Sequence, residues 1–277
     1  MDKISRFVFN FRDRCNMKCP FCYIPFVESE AGDISLWEKI IDVMAQYSPE
    51  LVTFGGGDPF AHQNITELLN YCQRYDFQVH VDTNGLFLPI SSIPKLNHII
   101  SLIGLPIDGS MEFHDCLRNH SGHYKIICGK LAKLAEHQIP VKINTVYYPE
   151  EKTQLDDIAK RICQYSNIKQ WFIYEYWYFK GINPESKEHD KFHPNDEEIE
   201  RLRIAANVPE IHFSSIAERS PCYVFVSSLG NIYTVSENTK EYIELGNILS
   251  NDAGRILSSL TNIKKIEQRT RLKLYQE

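Results

Sequence analysis

The sequence predicts an α/β protein, a (βα)6 partial barrel of the TIM type with a small C-terminal β-hairpin and helix. Apolar runs typical of buried strands alternate six times with segments of helical periodicity within residues 1–180. Such alternation indicates a parallel sheet with right-handed crossovers. Six units are fewer than the eight of a closed barrel, so the sheet should stay open. With 277 residues, of which 43% are hydrophobic, the chain can bury a large core.

Local patterns place the predicted strands and helices. Strands are predicted at 7–11, 51–54, 77–81, 99–105, 141–147 and 171–178. Apolar residues recur at helical spacing within 36–47, 65–75, 127–134 and 155–162, and a weaker helix is expected after Pro89. Ser35 and Glu38 have the spacing of a capping box, which predicts that the first helix begins directly after Ser35.

The chain changes character after about residue 180, which predicts two domains. Residues 1–180 should form the barrel, and residues 181–277 a C-terminal extension. A polar stretch at 183–196 with two prolines indicates a linker or lid, and a helix follows at 197–205. Strands at 223–227 and 232–235 flank a turn centred on Gly230, as in a hairpin. The end of the chain, from about Ala253, is expected to be helical.

Composition and charge restrict the partners. The formal net charge is −6 and no basic stripe is visible, so a nucleic-acid partner is not expected. No apolar run approaches the roughly 20 residues that span a bilayer, and the first residues have no apolar signal core. We therefore expect a cytoplasmic protein with no membrane partner, acting on a peptide or a small molecule. In a reducing cytosol, its eight cysteines are not expected to form disulfides.

Three of the cysteines form the strongest motif. Cys15, Cys19 and Cys22 lie on a predicted loop directly after the first strand. Three thiolates at this spacing can ligate three irons of a cubane and leave the fourth iron open to an outside ligand. A closed structural zinc site normally needs four ligands, and the next candidate along the chain is His62. A zinc site completed from a distance and chance clustering are the alternatives.

With Tyr23 after the third cysteine, this C-x3-C-x2-C motif resembles that of the radical S-adenosylmethionine (SAM) superfamily, and the resemblance covers roughly residues 5–180. It implies one 4Fe–4S cluster on the three cysteines and SAM chelated by the open iron, with Tyr23 against the adenine. It also implies that SAM is cleaved reductively to a 5′-deoxyadenosyl radical that takes a hydrogen atom from substrate. A low-potential electron donor such as flavodoxin or ferredoxin is then required.

Further motifs resemble the SAM-binding segments of the family. Gly56, Gly57 and Asp58 stand where the family has G-G-E of its G-G-E-P motif, which holds the SAM amino group, although a tight turn would also explain them. The Asp side chain keeps the carboxylate but has a shorter reach. Thr83-Asn84-Gly85 is similar to the family's T-N-G, which predicts that Asn84 lies at the cofactor.

The segment from 106 to 118 is similar to the S-L-D-G…H-D-x-x-R stretch of peptide-modifying relatives. The resemblance implies that Arg118 binds the SAM carboxylate, and a surface salt bridge is the alternative for this residue. Pro106 replaces the serine, so part of the network must differ. Asn144 on the fifth strand corresponds to an asparagine that touches SAM. Lys142 shares its face and either meets an anionic substrate group or stands at the exposed start of the strand. Glu175 belongs to an aromatic strand that forms either core or an apolar substrate pocket.

The extension resembles a degenerate SPASM-type domain. Its hairpin and the segment 245–248 match the shell of such domains, but Cys222 is the one cysteine there, so a second cluster is not expected. Three functions stay open. The chain could modify a peptide, as its D-G…R stretch suggests, or a nucleotide, nucleoside or sugar, as viperin-like enzymes with a K-I-N strand do. It could also be a non-catalytic sensor that binds an iron–sulfur cluster or SAM.

Overall fold

One mixed sheet organises the part of the chain that the computed structural model describes, residues 4–24, 33–148, 154–177, 194–215, 224–235 and 242–261. Its strands are β1 (Arg6–Arg12), β2 (Leu51–Gly56), β3 (Gln78–Asp82), β4 (Leu102–Pro106), β5 (Val141–Tyr147), β6 (Ile168–Glu175), β7 (Glu210–Ser214), β8 (Val224–Ser227), β9 (Asn231–Val235) and β10 (Tyr242–Asn247). The order across the ten-stranded sheet is β10-β9-β8-β1-β2-β3-β4-β5-β6-β7. Strands β1 to β7 run parallel, and β8 pairs in parallel with β1.

Helices connect the successive parallel strands. They are α1 (Ile34–Ala45), α2 (Ile65–Cys72), α3 (Ile93–Leu96), α4 (Met111–Leu117), α5 (His123–Glu136), α6 (Gln154–Ile162) and α7 (Asp196–Ala206), and α8 (Ala253–Thr261) follows β10. Single 3-10 turns occur at Pro59–Ala61 and Ile90–Ser92. Within these described elements, no helix is both long and apolar enough to cross a bilayer.

The two faces of the sheet differ because side chains alternate along each strand. On β1, Phe7, Phe9 and Phe11 are fully buried in the main core. The Phe11 ring lies 5.1 Å from that of Trp37 on α1. Arg6, Val8 and Asn10 alternate with these phenylalanines and therefore point to the opposite face. That inner face is the lumen of the partial barrel, and it carries the site described below.

The predicted fold class is confirmed, with three additions, β7, β10 and α4. All six predicted strands are present, and the predicted hairpin forms as β8 and β9. The sequence analysis missed β7, which pairs in parallel with β6, because its residues Glu-Ile-His-Phe-Ser lack a continuous apolar run. It also missed α4, which the H-D-x-x-R stretch forms. The predicted domain boundary at 180/181 and most of the linker lie outside the described residues, so that division stays a prediction.

The start of the first helix differs from the predicted one. Helix α1 begins at Ile34, and its N-cap is Asp33, whose carboxylate accepts a hydrogen bond of 2.9 Å from the backbone N–H of Leu36. Ser35 is already inside the first turn and exposed, so the predicted capping box is wrong. Aspartate caps as well as serine does, and the pattern alone could not choose between neighbouring candidates.

Replacing Asp33 by alanine should lower the free energy of unfolding by about 1 kcal/mol, because the first turn of α1 loses its side-chain cap. Ser35→Ala is the matched control two residues away and should change stability by less than about 0.5 kcal/mol. Urea unfolding monitored by circular dichroism measures both. A larger loss for Ser35→Ala than for Asp33→Ala would contradict the assigned cap.

Candidate active site

The three motif cysteines lie on the loop that leaves the carboxyl end of β1. All three are free thiols, and the loop is tightened by bonds from the Cys22 N–H to the Cys19 carbonyl and from the Met17 N–H to Cys15 Sγ. Burial raises the pKa of Cys19 to about 11 and that of Cys22 to about 12, and the neighbouring motif thiols add to both shifts. The three sulfur atoms are therefore near enough to influence one another.

This donor set fits a cubane rather than a single ion. Within the described ranges, no three His, Cys, Asp or Glu side chains form a group that could hold one metal ion. In a cubane each iron takes its own thiolate, so the ligands surround the cluster instead of converging on one point. Three thiols on one short loop match a cluster that takes three ligands from this loop and leaves its fourth iron open.

The glycine turn after β2 presses its backbone against the cysteine loop. A Cβ on Gly57 would lie 1.7 Å from the Arg14 carbonyl oxygen, and one on Gly56 would lie 2.2 Å from the Arg12 oxygen. Gly56 also has a φ of +98°, which L side chains rarely adopt. The Gly57 N–H donates to the Arg12 carbonyl at 2.8 Å. Contact within the chain thus explains both glycines, and their predicted cofactor contacts remain predictions.

Asp58 joins the glycine turn to the predicted T-N-G motif. Its carboxylate is buried and accepts bonds from Thr83 Oγ1 at 2.6 Å and from the Asn84 N–H at 2.7 Å. Burial raises the pKa of Asp58, and these bonds oppose the rise. Asn84 in turn directs Nδ2 toward Cys15 Sγ at 3.6 Å and donates to Asn16 Oδ1 at 2.8 Å. The two motifs therefore support the cysteine loop together.

Arg118 approaches the cysteine loop from the other side. It follows α4, and its Nε and Nη2 donate to the two oxygens of buried Asp108 at 2.6 and 3.3 Å. Burial alone would raise the pKa of Asp108, but the Arg118 charge and the contacts with His114 and Arg118 together outweigh it and keep that pKa low. The guanidinium carbon of Arg118 lies 5.1 Å from the centre of the Phe21 ring. In the sequence, Phe21 stands between the second and third motif cysteines. Arg118 keeps further N–H groups for a ligand.

An internal cavity of about 260 Å³ opens beside this loop on the lumen face. Its wall includes four of the predicted site residues, Cys22, Tyr23, Gly56 and Asn144. The other six surround the cysteine loop or belong to it, and they are Cys15, Cys19, Gly57, Asp58, Asn84 and Arg118. The structure thus brings the predicted residues to one end of the barrel in two groups. One group lines the cavity, and the other forms or supports the cysteine loop.

Asn144 reaches across β4 to Asp82, which directly precedes the T-N-G motif and was not among the predicted site residues. Its Nδ2 donates to Asp82 Oδ1 at 2.7 Å, above Gly104, where a Cβ would lie 1.9 Å from that oxygen. Asp82 also lies 3.1 Å from Nε2 of His80. Asn144 Oδ1 is buried and accepts no hydrogen bond from the described residues, so it could accept one from a ligand. His80 and Asp82 are polar residues at alternate positions of the central strand β3. That pattern was the signal in the sequence that could have identified them as residues of the lumen face.

Lys142 is buried in the lumen, so its placement at an exposed strand start is wrong. Its side chain is 2% exposed, and Nζ lies 4.6 Å from the centre of the Phe172 ring and 5.4 Å from that of Tyr174. The aromatic side chains of β6 point to both faces of the sheet. Trp171 is fully buried in the main core, whereas Tyr174 lines the cavity together with Glu175.

The C-terminal hairpin supplies one wall of the site. Phe225 of β8 lies against Tyr23 at 6.0 Å between ring centres and stacks on Tyr233 of β9 at 5.1 Å. Ser228 accepts a bond of 3.1 Å from Trp37 Nε1 through its carbonyl, and its hydroxyl donates to Asp13 next to the cysteine loop. Cys222 lies outside the described residues.

Comparison with known proteins identifies relatives of this arrangement. Residues 9–162 match the Radical SAM superfamily profile. The subtilosin biosynthesis protein AlbA of Bacillus subtilis (strain 168) is 25% identical over 254 residues, which cover 81% of this chain and 56% of AlbA. An S-adenosylmethionine-dependent nucleotide dehydratase of Selenomonas ruminantium is 21% identical over 263 residues, which cover 88% of this chain and 90% of the dehydratase.

A solved structure shares the fold. Streptococcus suis SuiB, crystallised with S-adenosylmethionine, superposes with a TM-score of 0.68 at 17% identity, over 83% of this chain and 60% of SuiB. SuiB has also been crystallised with its precursor peptide SuiA. At this identity the likeness establishes the fold, an open α/β barrel. This chain spans little more than half the length of AlbA and SuiB.

Replacing Gly57 by alanine should prevent stable iron loading, because the new methyl group would collide with the Arg14 backbone and displace the cysteine loop. Gly129→Ala on α5 is the matched control, since a Cβ there meets nothing within 4 Å and alanine favours the helix. Iron and sulfide per chain after anaerobic reconstitution measure the effect. Full iron loading of Gly57→Ala would contradict the packing described for the glycine turn.

Proposed function

The chain belongs to the radical SAM superfamily, and on that premise we propose that it is an enzyme with one 4Fe–4S cluster on Cys15, Cys19 and Cys22. When bound, the cluster and SAM supply a 5′-deoxyadenosyl radical, formed by one-electron reductive cleavage of SAM, that abstracts a hydrogen atom from substrate. One observation carries the proposal. The three-thiol loop opens onto an internal cavity whose wall includes Cys22, Tyr23 and Asn144.

The residues around the cavity suit distinct tasks. Tyr23, within its aromatic cluster, offers a flat surface to an adenine. The buried Oδ1 of Asn144 can accept a bond from a ribose hydroxyl, and Arg118 has N–H groups left for a carboxylate. Asn84, which is bonded to Asp58, contacts the cysteine loop and supports it. Apolar side chains on the cavity wall, Val8 and Phe225 among them, keep water away from a reactive intermediate.

We further propose that the substrate is a peptide. AlbA is named for the biosynthesis of the bacteriocin subtilosin, and SuiB binds a precursor peptide. Another B. subtilis relative is named as the sporulation killing factor maturation protein SkfB. The electron donor in this proposal is a low-potential flavodoxin or ferredoxin. We also propose that residues 181–277 form an extension without a second cluster and that the protein acts in the cytoplasm.

A nucleotide is the second candidate substrate, and one observation favours it. The dehydratase of Selenomonas ruminantium matches this chain over nearly the whole length of both proteins, whereas AlbA and SuiB are much longer. Lys142 in the lumen is compatible with this candidate too, because a buried cation could approach a phosphate. A non-catalytic sensor is the remaining alternative, and it would bind SAM without cleaving it.

Reconstituted protein with dithionite and SAM should release 5′-deoxyadenosine, and Cys19→Ala should reduce the yield to background because one iron loses its protein ligand. Cys163→Ala is the matched control, since Cys163 is an exposed thiol at the end of α6, and it should keep the wild-type yield. Liquid chromatography with mass detection measures the product. Bound cluster and SAM without any 5′-deoxyadenosine would support the sensor instead.

The same assay separates the two substrates. A deuterated peptide encoded beside this protein's gene should transfer deuterium into 5′-deoxyadenosine, while deuterated nucleoside triphosphates should not. Transfer from a nucleotide alone would overturn the peptide proposal and leave the radical SAM assignment intact.

A further inference from the structure

Two buried histidines connect the Arg118 side of the cysteine loop to the Asn84 side. His114 on α4 and His123 at the start of α5 are both 0% exposed. Their rings stack with centres 4.9 Å apart and an interplanar angle of 12°, and His114 Nε2 lies 2.8 Å from His123 Nδ1. Neither histidine contacts the cavity, and the proposed chemistry uses neither.

The hydrogen-bond partners fix the protons of the pair. His123 Nε2 lies 2.7 Å from the Asn84 carbonyl, which can only accept, so this nitrogen carries the proton. Burial lowers the pKa of His123 to about 4, so its ring is neutral and Nδ1 accepts from His114 Nε2–H. His114 Nδ1 then accepts from the Asp108 backbone N–H at 3.1 Å. His114 Nδ1 also lies 3.2 Å from Asp108 Oδ2.

Each end of this chain of bonds leads to a different motif cysteine. At one end, the anchored Asn84 points its side-chain N–H at Cys15 Sγ. At the other end, Asp108 holds Arg118, whose positive charge lowers the pKa of Cys19 against the effect of burial. Both contacts favour negative charge on a cysteine sulfur. The histidine pair is the hydrogen-bonded link between them.

We propose that His114 and His123 are positioning residues that hold Asn84 and Arg118 against the cluster sulfurs and thereby raise the reduction potential of the cluster. Groups that donate to the ligand sulfurs or carry positive charge near them stabilise the reduced cluster, which is the more negative form. Partners behind the ligands orient such groups in metal sites generally. The inference rests on the proposed cluster but not on the identity of the substrate.

A purely structural role makes a different prediction. If the pair only fills space, a phenylalanine of similar size at position 123 should preserve the cluster environment. If the ring nitrogens matter, the same substitution breaks both bonds of His123 and releases the Asn84 carbonyl. A phenylalanine at position 123 therefore distinguishes a space-filling role of the ring from a role of its hydrogen-bonding nitrogens.

The test is the midpoint potential of the reconstituted cluster, measured by redox titration followed by EPR. His123→Phe should bind wild-type amounts of iron but shift the midpoint to a more negative potential. His123→Gln keeps an N–H for the Asn84 carbonyl and should lie closer to wild type. His137→Phe is the matched control, an exposed histidine just after the same helix, and should leave the midpoint unchanged.

A double mutant tests whether His123 acts on the cluster through Asn84. On an Asn84→Ala background, His123→Phe should shift the midpoint less than it does in the wild-type protein, because the donor to Cys15 is already gone. Loss of iron from His123→Phe but not from His123→Gln would also support the inference. A wild-type midpoint for His123→Phe, fully additive shifts, or equal iron loss in both variants would overturn it. Absence of a 4Fe–4S cluster from the wild-type protein would instead contradict the proposed function.

Discussion

The site depends on one close backbone contact between the glycine turn after β2 and the cysteine loop after β1. No side chain fits at Gly57, because its Cβ would lie 1.7 Å from the Arg14 oxygen. Strands β1 and β2 are neighbours in the sheet, so their carboxyl ends deliver the two segments to one place. Ligands of open parallel sheets bind at that end of the strands, and here the cysteine loop lies beside a cavity with Cys22 in its wall.

Around this contact the structure divides the polar residues into two layers. Behind the cysteine loop, Asp58 accepts bonds from Thr83 and Asn84, and Asp108 accepts one from Arg118. Within the lumen, Asn144 retains a buried acceptor and the cavity wall is mostly apolar. The first layer fixes the loop and the second can receive a ligand. Residues of a functional site must be held in place by packing and by hydrogen bonds from behind, and the first layer can provide such support.

Much of this could be predicted from the sequence because the signals were local. The C-x3-C-x2-C spacing and the glycine run are short motifs, and apolar periodicity located all six strands of the barrel. What the sequence could not provide was the partner of each residue. Asp58 was expected at the cofactor, yet its carboxylate bonds to Thr83 and Asn84, which lie about a strand and a helix further along the chain.

Other features depend on tertiary contacts that no local pattern encodes. The pairing of His114 with His123 requires α4 and α5 to pack together, and the Asp82–Asn144 bond requires a glycine on the strand between them. The role of the hairpin as a wall beside Tyr23 follows from the pairing of β8 with β1. The N-cap of α1 was misplaced by two residues because aspartate and serine are equivalent caps in sequence.

The most direct test of the central claim is the EPR spectrum of the anaerobically reconstituted and reduced protein, recorded with and without SAM. The account predicts a 4Fe–4S signal that changes when SAM is added, since an open iron beside the cavity would take the cofactor. A protein that binds zinc and no iron, or a cluster whose spectrum is indifferent to SAM, would contradict it.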